Sequence, residues 1–448
     1  MPSHDNVDVA VLGGGPAGLV AARQLASTGL RVALIDSGGL TGCHVIESFP
    51  ASGAPLAEDI GLLQGICAVS NGPAARQELH WRATPETRLF EGDGPLLLER
   101  ARLRDSLRQD AISKGVHAIS AHVRDVQSGP MEALVQLDNG TIHARLVVDA
   151  RGRTAHRRPT ANLVALPFSA SGRVSHHTMY LLAQPYRWLW AVSGSDEMVH
   201  GAVFLSTTDL AGRNHVDRVE LAHRALSEAG PLSGLTPARV GRPMSAGLSI
   251  APDPVLSDRH ILIGDAALAR DPIASHGLVH ALRSGVQAAI AVQTILDPQA
   301  ESRAARAFLR HKHRHAAEAA RSATQMAYAD QALHNTEFWR TRVDPSSTPQ
   351  PTPGPLDQQP VSVTLTRAPQ IAAGRIGWAP AIELPAANDF LLRYGSITAV
   401  DIASACRPSA TLQEVSMRLA RSHDVRVVAE VIEKLCTGGA FSQASVAA

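Results

Sequence analysis

The sequence predicts an α/β protein in three parts: a nucleotide-binding βαβ layer, an antiparallel sheet and a small helical module at the C-terminus. Three observations predict it. A glycine-rich turn joins a Val-rich run to a helical pattern near the N-terminus, a Gly-Asp turn follows a second apolar run in mid-chain, and a Pro-rich stretch separates residues 361–448 from the rest. At 448 residues the chain is longer than one hydrophobic core usually supports. The formal charge of +1 creates no field that would hold nucleic acid or an anionic membrane.

The first element is "NVDVAVLGGGPAGLVAARQLASTGLRVALID". Val7, Val9 and Val11 mark a strand, Leu19 to Thr28 a helix that Gly29 can end, and Arg31 to Ile35 a second strand. The glycines serve different ends. Gly13 permits the tight turn, Gly15 lets the backbone approach a pyrophosphate, and Gly18 lets helix and sheet pack closely. Pro16 and Ala17 open the helix whose positive end would meet the phosphates. Asp36 lies 36 − 15 = 21 residues past Gly15, the offset of an acid that accepts from an adenosine ribose, and Ser37 adjoins it.

The second element is "HILIGDAALARDPIASHGLVHALRSGVQAAIAVQTIL". It reads as a strand (His260 to Ile263), Gly264-Asp265, a turn through Pro272, and a helix with Leu278, Ala281, Leu282, Gly285, Ala288, Ala289 and Val292 on one face. A loop of the first kind cannot separate NAD from FAD. FAD is longer and needs a second anchor, where a carboxylate accepts from a ribityl hydroxyl and a helix N-terminus stabilises negative charge on the reduced ring. Asp265 and the helix start at Ser275-His276-Gly277-Leu278 supply both.

Together these segments resemble the para-hydroxybenzoate hydroxylase type of flavoprotein monooxygenase and the related tryptophan halogenases, over about residues 5 to 300. "LLLERARLRDSL" is similar to the family's helix that turns Arg100 toward FAD, "AHVRDV" to the strand whose backbone near Val123 reads the adenine, and "LVVDARGRTA" to its turn at Asp149 to Arg153. The resemblance implies an FAD-binding Rossmann-like domain of the glutathione reductase/para-hydroxybenzoate hydroxylase type, with an antiparallel-sheet substrate domain. It also implies FAD as cofactor, NAD(P)H as a transient reductant or a separate flavin reductase, and O₂ as co-substrate attacking an electron-rich ring through a flavin C4a-hydroperoxide. No second GxGxxG marks a nicotinamide domain.

Halogenases of this group use a lysine in the first part of the chain to capture hypohalous acid. The lysines here are Lys114, Lys312 and Lys434, which points to hydroxylation. In "CHVIESFP", where halogenase-like relatives carry Gly-Glu-Ser, Ile46 replaces the glycine while Glu47 and Ser48 match. Glu47 is either the base that takes a proton from the hydroxylated ring or a helix-capping or surface acid. His276 and Pro272 join it as catalytic candidates, with His44 a weaker one. Tyr186, Trp188 and Trp190 alternate on one strand and either pack the sheet or line an aromatic substrate cavity.

These readings place an FAD domain at 1–165 and 240–340 and a substrate sheet at 166–239 with parts of 45–95. A Pro-rich linker at 344–360 and a docking domain at 361–448 follow. Beyond the linker come a strand at Val361, Val363 and Leu365 and helices from about Thr398, from the capping box Thr411 to Glu414, and from Asp424: a winged-helix-like module with no basic stripe for nucleic acid. In "RHKHRH" the i, i+2 spacing of His311, His313 and His315 reads as a solvated basic face, so no metal site is expected. Four cysteines without CxxC spacing, no N-terminal signal and no long apolar run predict a soluble cytoplasmic protein.

A halogenase-like flavoprotein without the lysine and with such a module is similar to the monooxygenases that mature tryptophylquinone cofactors, of the kind serving quinohemoprotein amine dehydrogenase. That resemblance implies a polypeptide substrate with a tryptophan to hydroxylate, presented alone or in complex with its crosslinking or leader-binding partner. The alternatives are a small-molecule hydroxylase or halogenase of secondary metabolism, and a non-enzymatic flavoprotein scaffold.

Overall fold

The computed structural model describes residues 6–38, 45–154, 162–194, 198–343, 360–407 and 410–443. His44 and residues 344–359 of the linker lie outside them. The chain forms two compact units, Met1–Val292 with Ala316–Asp344, and Gln293–His315 with Pro345–Ala448.

In the first unit β1 (Asn6–Leu12) leads into α1 (Pro16–Ala26), and β2 (Val32–Ile35) returns parallel to β1. Val9 to Leu12 are all buried, as a parallel strand flanked on both sides and covered on both faces requires, and Leu19, Val20 and Leu25 of α1 are buried as well. After α2 (Arg100–Ser113), β3 (His117–Ile119) extends the sheet beyond β2, while β4 (Thr141–Asp149) pairs parallel to β1 on its other side.

A second sheet contains β5 (Val164–Ser171), β6 (Thr178–Gln184), β7 (Arg187–Ser193) and β8 (Met198–Leu205) in the order β5-β8-β7-β6. Strands Arg76–His80 and Glu86–Leu89 extend it beyond β6, and the pairing of β6 with Arg76–His80 is parallel. Its one face is covered by α3 (His215–Ser227) through Ala222, Ala225 and Leu226. β9 (His260–Leu262) then rejoins the first sheet beside β4. α4 (Gly277–Leu296) crosses α1 at Gly285, where a Cβ would lie 2.7 Å from the Ala17 carbonyl oxygen. α5 (Ser302–Ala329) follows.

The second unit has its own core, with Ile382, Leu384, Leu391, Ile402, Val415, Val431 and Leu435 buried together. Its helices α6 (Ala399–Ala405), α7 (Leu412–Leu419) and α8 (Val425–Thr437) begin where the sequence placed them, capped by Thr398, Thr411 and Asp424. The module is mixed rather than helical, because strands Leu365–Ala372, Arg375–Leu384 and Asp389–Leu391 form an antiparallel sheet. Residues 293–315, read from sequence with the nucleotide-binding part, group here: the Arg375 guanidinium reaches Gln293 Oε1 at 3.0 Å and the Ile376 N–H reaches Thr294 Oγ1 at 3.1 Å. Among the described residues no helix is long and apolar enough to cross a membrane.

Candidate functional site

The glycine loop after β1 is shaped by steric limits that differ at each position. Gly13 sits at φ +105°, and a Cβ there would come 2.5 Å from the Ala150 carbonyl oxygen. At Gly18 it would come 2.1 Å from the Gly13 oxygen. Gly15 is the exception, with nothing within 4 Å of its Cβ position, so its backbone borders open space. Pro16 holds the first position of α1, Ala17 is buried, and no side chain caps the helix N–H groups. Asp36 follows β2 with Oδ2 buried and without a hydrogen bond, ion-paired with the Arg104 and Arg108 guanidiniums at 3.5 and 3.9 Å. An open helix N-terminus beside a carboxylate oxygen with no hydrogen bond suits a diphosphate joined to a ribose.

Gly14, to which the sequence motif assigns no part, makes this possible: a Cβ there would meet Asp36 Oδ2 at 2.3 Å. Ser37 is exposed just beyond. Val123 packs with Ile35, Ile119 and Ala121 at the same end of the sheet.

A second group of charges lies around Asp265, in the short turn Gly264–Ala266 after β9. Its side chain keeps 46% of its surface open. Burial pushes its carboxyl up, opposed by Arg153, whose Nε is 3.6 Å from Oδ2, and by Arg100. Arg100, the first residue of α2, is ion-paired with Glu47, which raises the guanidinium further against burial. The Glu47 carboxylate is therefore engaged by Arg100 and does not stand as a free acid. Asp149 anchors the turn that carries Arg153; burial would raise its carboxyl, but His260 and the Arg151 guanidinium at 2.7 Å hold it well below the ordinary range.

The turn before α4 is tied at both ends. Asp271 Oδ1 accepts from the Ile273 N–H at 3.0 Å, setting the short helical turn Pro272–Ala274, and Oδ2 accepts from the Tyr328 hydroxyl at 3.3 Å. Burial pushes the Asp271 carboxyl up to about 6 and the Tyr328 phenol far above its usual value. No sequence pattern points to either residue, because the partner hydroxyl is 57 residues away. Ser275 and His276 follow at φ +54° and +66°, a left-handed pair that turns the chain into Gly277, whose Cβ position is also open. Leu278 is buried behind it and His276 is exposed.

Ser275, with ψ −167°, lies in a region nearly reserved for glycine, a placement that costs about 1–3 kcal/mol. Ser275→Gly is therefore expected to raise the stability of the flavin-free chain by about 1 kcal/mol after the entropy of the added glycine is subtracted. Urea unfolding checks it; an unchanged or lower midpoint would refute the strain.

On the sheet, Trp188 is fully buried and stacks on Phe204 with ring centroids 3.7 Å apart, and Trp190 is half-buried against the same cluster. Tyr186 does not share that face: β7 begins at Arg187, so Tyr186 falls in the turn and is 67% exposed. The aromatic wall is instead completed by Trp81, Tyr328 and Trp339, with Trp81 edge-on to both Trp188 and Trp339. A cavity of about 220 Å³ opens between Leu79, Trp81, Leu181, Ile273 and Ala327, rimmed by Arg82, Glu86 and Asp330. Ile273 joins this cavity to the turn at Pro272.

Residues 95–353, more than half of the chain, match the tryptophan halogenase family. The chain belongs to that family. Residues 8–167 also match the lycopene cyclase protein family, which overlaps the glycine loop and β4. A brominase of 1H-pyrrole-2-carbonyl-[peptidyl-carrier protein] from Pseudoalteromonas luteoviolacea (strain 2ta16) is 22% identical over 66% of this chain and 80% of its own length. In fold, the chain is similar to the flavin-dependent halogenase CmlS, with TM-score 0.79, 17% identity, and 98% and 96% of the two chains covered. It is equally similar in extent to QhpG, a peptidyl tryptophan dihydroxylase essential for tryptophylquinone cofactor biogenesis, with TM-score 0.76, 20% identity, and 97% and 99% covered.

This tryptophan halogenase family member thus has the α/β fold of flavin-dependent enzymes, and its neighbours support FAD as its cofactor. The residues fit that group. Gly15 and Gly277 present open space at two helix N-termini, Asp36 Oδ2 has no hydrogen-bond partner, and Asp265 stands beside Arg153 with 46% of its side chain open.

Proposed function

We propose that the chain is an FAD-dependent monooxygenase that hydroxylates a tryptophan side chain in a precursor polypeptide during tryptophylquinone biogenesis. The observation that carries this reading is the cavity beside Ile273. At about 220 Å³ it is smaller than the ~300–1,000 Å³ typical of small-molecule sites, and its apolar wall suits a single aromatic side chain presented from outside. The Arg82 pairs with Asp330 and Glu86 on its rim give the flanking peptide polar contacts.

FAD, reduced by NAD(P)H or by a reductase, supplies oxygen activation when bound. The chain's own residues do the rest. Gly13, Gly15, Gly18 and Asp36 hold the adenosine diphosphate, and Asp265 with the start of α4 holds the other end. Trp81, with Leu79, Leu181, Ile273 and Ala327, keeps water from the substrate ring, and Trp188 and Trp339 pack in the same buried cluster as Trp81. Lys114 caps α2 on the surface, and Lys312 and Lys434 belong to the second unit, so no lysine stands in the first unit's cavity.

Incubation of a tryptophan-bearing precursor peptide with reduced enzyme and O₂ is expected to add one or two oxygen atoms, read by mass spectrometry. An unmodified peptide beside hydroxylated free indole refutes the polypeptide substrate. Bromide or chloride incorporation instead of oxygen would favour the halogenase reading that the pyrrole brominase brings.

A further inference from the structure

Two histidines of α5 and one carboxylate of the strand Asp389–Leu391 converge within the second unit. His311 Nε2 lies 3.2 Å from Asp389 Oδ1, and His315 Nε2 lies 3.0 Å from the same oxygen. One ligating atom from each residue falls within 4.8 Å of the other two. His311 is buried, and its ring is wedged between His315, at 4.7 Å between centroids, and Phe390, at 5.5 Å. The spacing of four residues puts both imidazoles on one face of the helix, a turn apart.

Hydrogen bonding alone does not satisfy this arrangement. Asp389 Oδ1 already accepts from the Phe390 N–H at 2.6 Å. Both imidazole Nε2 atoms crowd that same oxygen, which has two lone pairs, and each neutral ring carries its proton on one nitrogen only. His315 Nε2 is accordingly a buried nitrogen with no hydrogen-bond partner. A cation resolves the conflict by taking one lone pair from each group. In a tetrahedral zinc site with ligand bonds of ~2.0–2.1 Å, donor atoms stand about 3.3 Å apart, close to the 3.0 and 3.2 Å seen here.

We propose that His311, His315 and Asp389 form a binding site for a divalent first-row transition metal ion of the zinc and nickel class. Two imidazoles and a carboxylate suit these ions better than magnesium or calcium, which prefer oxygen ligands alone. His315 and Asp389 are each about a third exposed, at 32% and 30%, which leaves a side for water as a further ligand. The site bridges α5 to the strand at Asp389, two segments far apart in sequence that share this unit. It therefore acts as a staple of the unit. The neighbouring Arg310, Lys312 and Arg314 add positive charge, which keeps the affinity below that of four-ligand structural sites.

The test uses the full-length chain, stripped with chelator and titrated with Co²⁺ and Zn²⁺. The expected result is one equivalent of Co²⁺ with visible d–d absorption, displaced by Zn²⁺, and a melting temperature that rises with Zn²⁺. His315→Ala and Asp389→Ala, both at partly exposed positions, are expected to abolish the absorption and the thermal shift together. His313→Ala, whose residue lies two positions from each histidine and off their helical face, is expected to retain both. No stoichiometric binding, or binding and thermal shift unchanged in His315→Ala and Asp389→Ala, overturns the site.

Discussion

Gly15→Asp is expected to fold as the wild-type chain does and to purify without flavin. Gly15 precedes α1 in an extended conformation, φ −79° and ψ 172°, that any residue can adopt, and nothing lies within 4 Å of its Cβ position. Aspartate is also a favoured residue at that helix-capping place, so the flavin-free protein should lose no stability and gain a few tenths of a kcal/mol. The same carboxylate occupies the space where a diphosphate must come. Two like charges about 4 Å apart repel by about 4 kcal/mol at a near-surface dielectric, roughly a thousandfold in affinity. Gly18→Ala is the contrasting case, because its Cβ would meet the Gly13 carbonyl oxygen at 2.1 Å and backbone must move. That variant should lose fold and cofactor together. The measurement pairs flavin absorbance per chain with thermal unfolding of stripped proteins. Stoichiometric yellow Gly15→Asp protein would mean that the diphosphate does not lie against this loop.

The difference between the two glycines shows how much of the site is legible without the fold. Local requirements can be read: the loop glycines, the acid at Asp36, the helix starts at Thr398, Thr411 and Asp424, and the turn at Asp265 all follow from backbone chemistry within a few residues. Contacts between distant segments cannot. Glu47 and Arg100 each stand out in the sequence, but for separate roles; their pairing depends on Ile46–Phe49 lying against Leu96–Glu99 in register. The aromatic alternation of Tyr186, Trp188 and Trp190 fails at its first member because the strand starts one residue later. In "RHKHRH" the i, i+2 neighbours hide the i, i+4 pair, and Asp389 arrives from a sheet that the helical reading of the module omits.

Asp271→Asn is expected to stabilise the protein at neutral pH and leave it unchanged in acid. The Asp271 carboxyl is 2% exposed and is pushed up from 3.8 to about 6 by burial, which the Ile273 N–H, the Tyr328 hydroxyl and the charges of Arg153 and Arg342 only partly offset. A raised folded value means that the folded state prefers the protonated acid. The associated stability is complete below about pH 4, declines as pH rises through about 6, and is then lost, a difference of roughly 3 kcal/mol. Asparagine is neutral throughout and its carbonyl oxygen can still accept from the Ile273 N–H, so the turn at Pro272 keeps its shape. Apart from a pH-independent cost of a weakened bond to Tyr328, the variant's advantage over wild type should therefore be near zero at pH 4 and grow to at most about 3 kcal/mol by pH 7. Because both chains share every other titrating group, subtracting their urea-unfolding free energies at each pH isolates this one carboxyl. A difference that stays flat from pH 4 to 7 would mean that Asp271 ionises as easily in the fold as outside it, and that the wall of Tyr328, Trp188 and Trp339 does not exclude water.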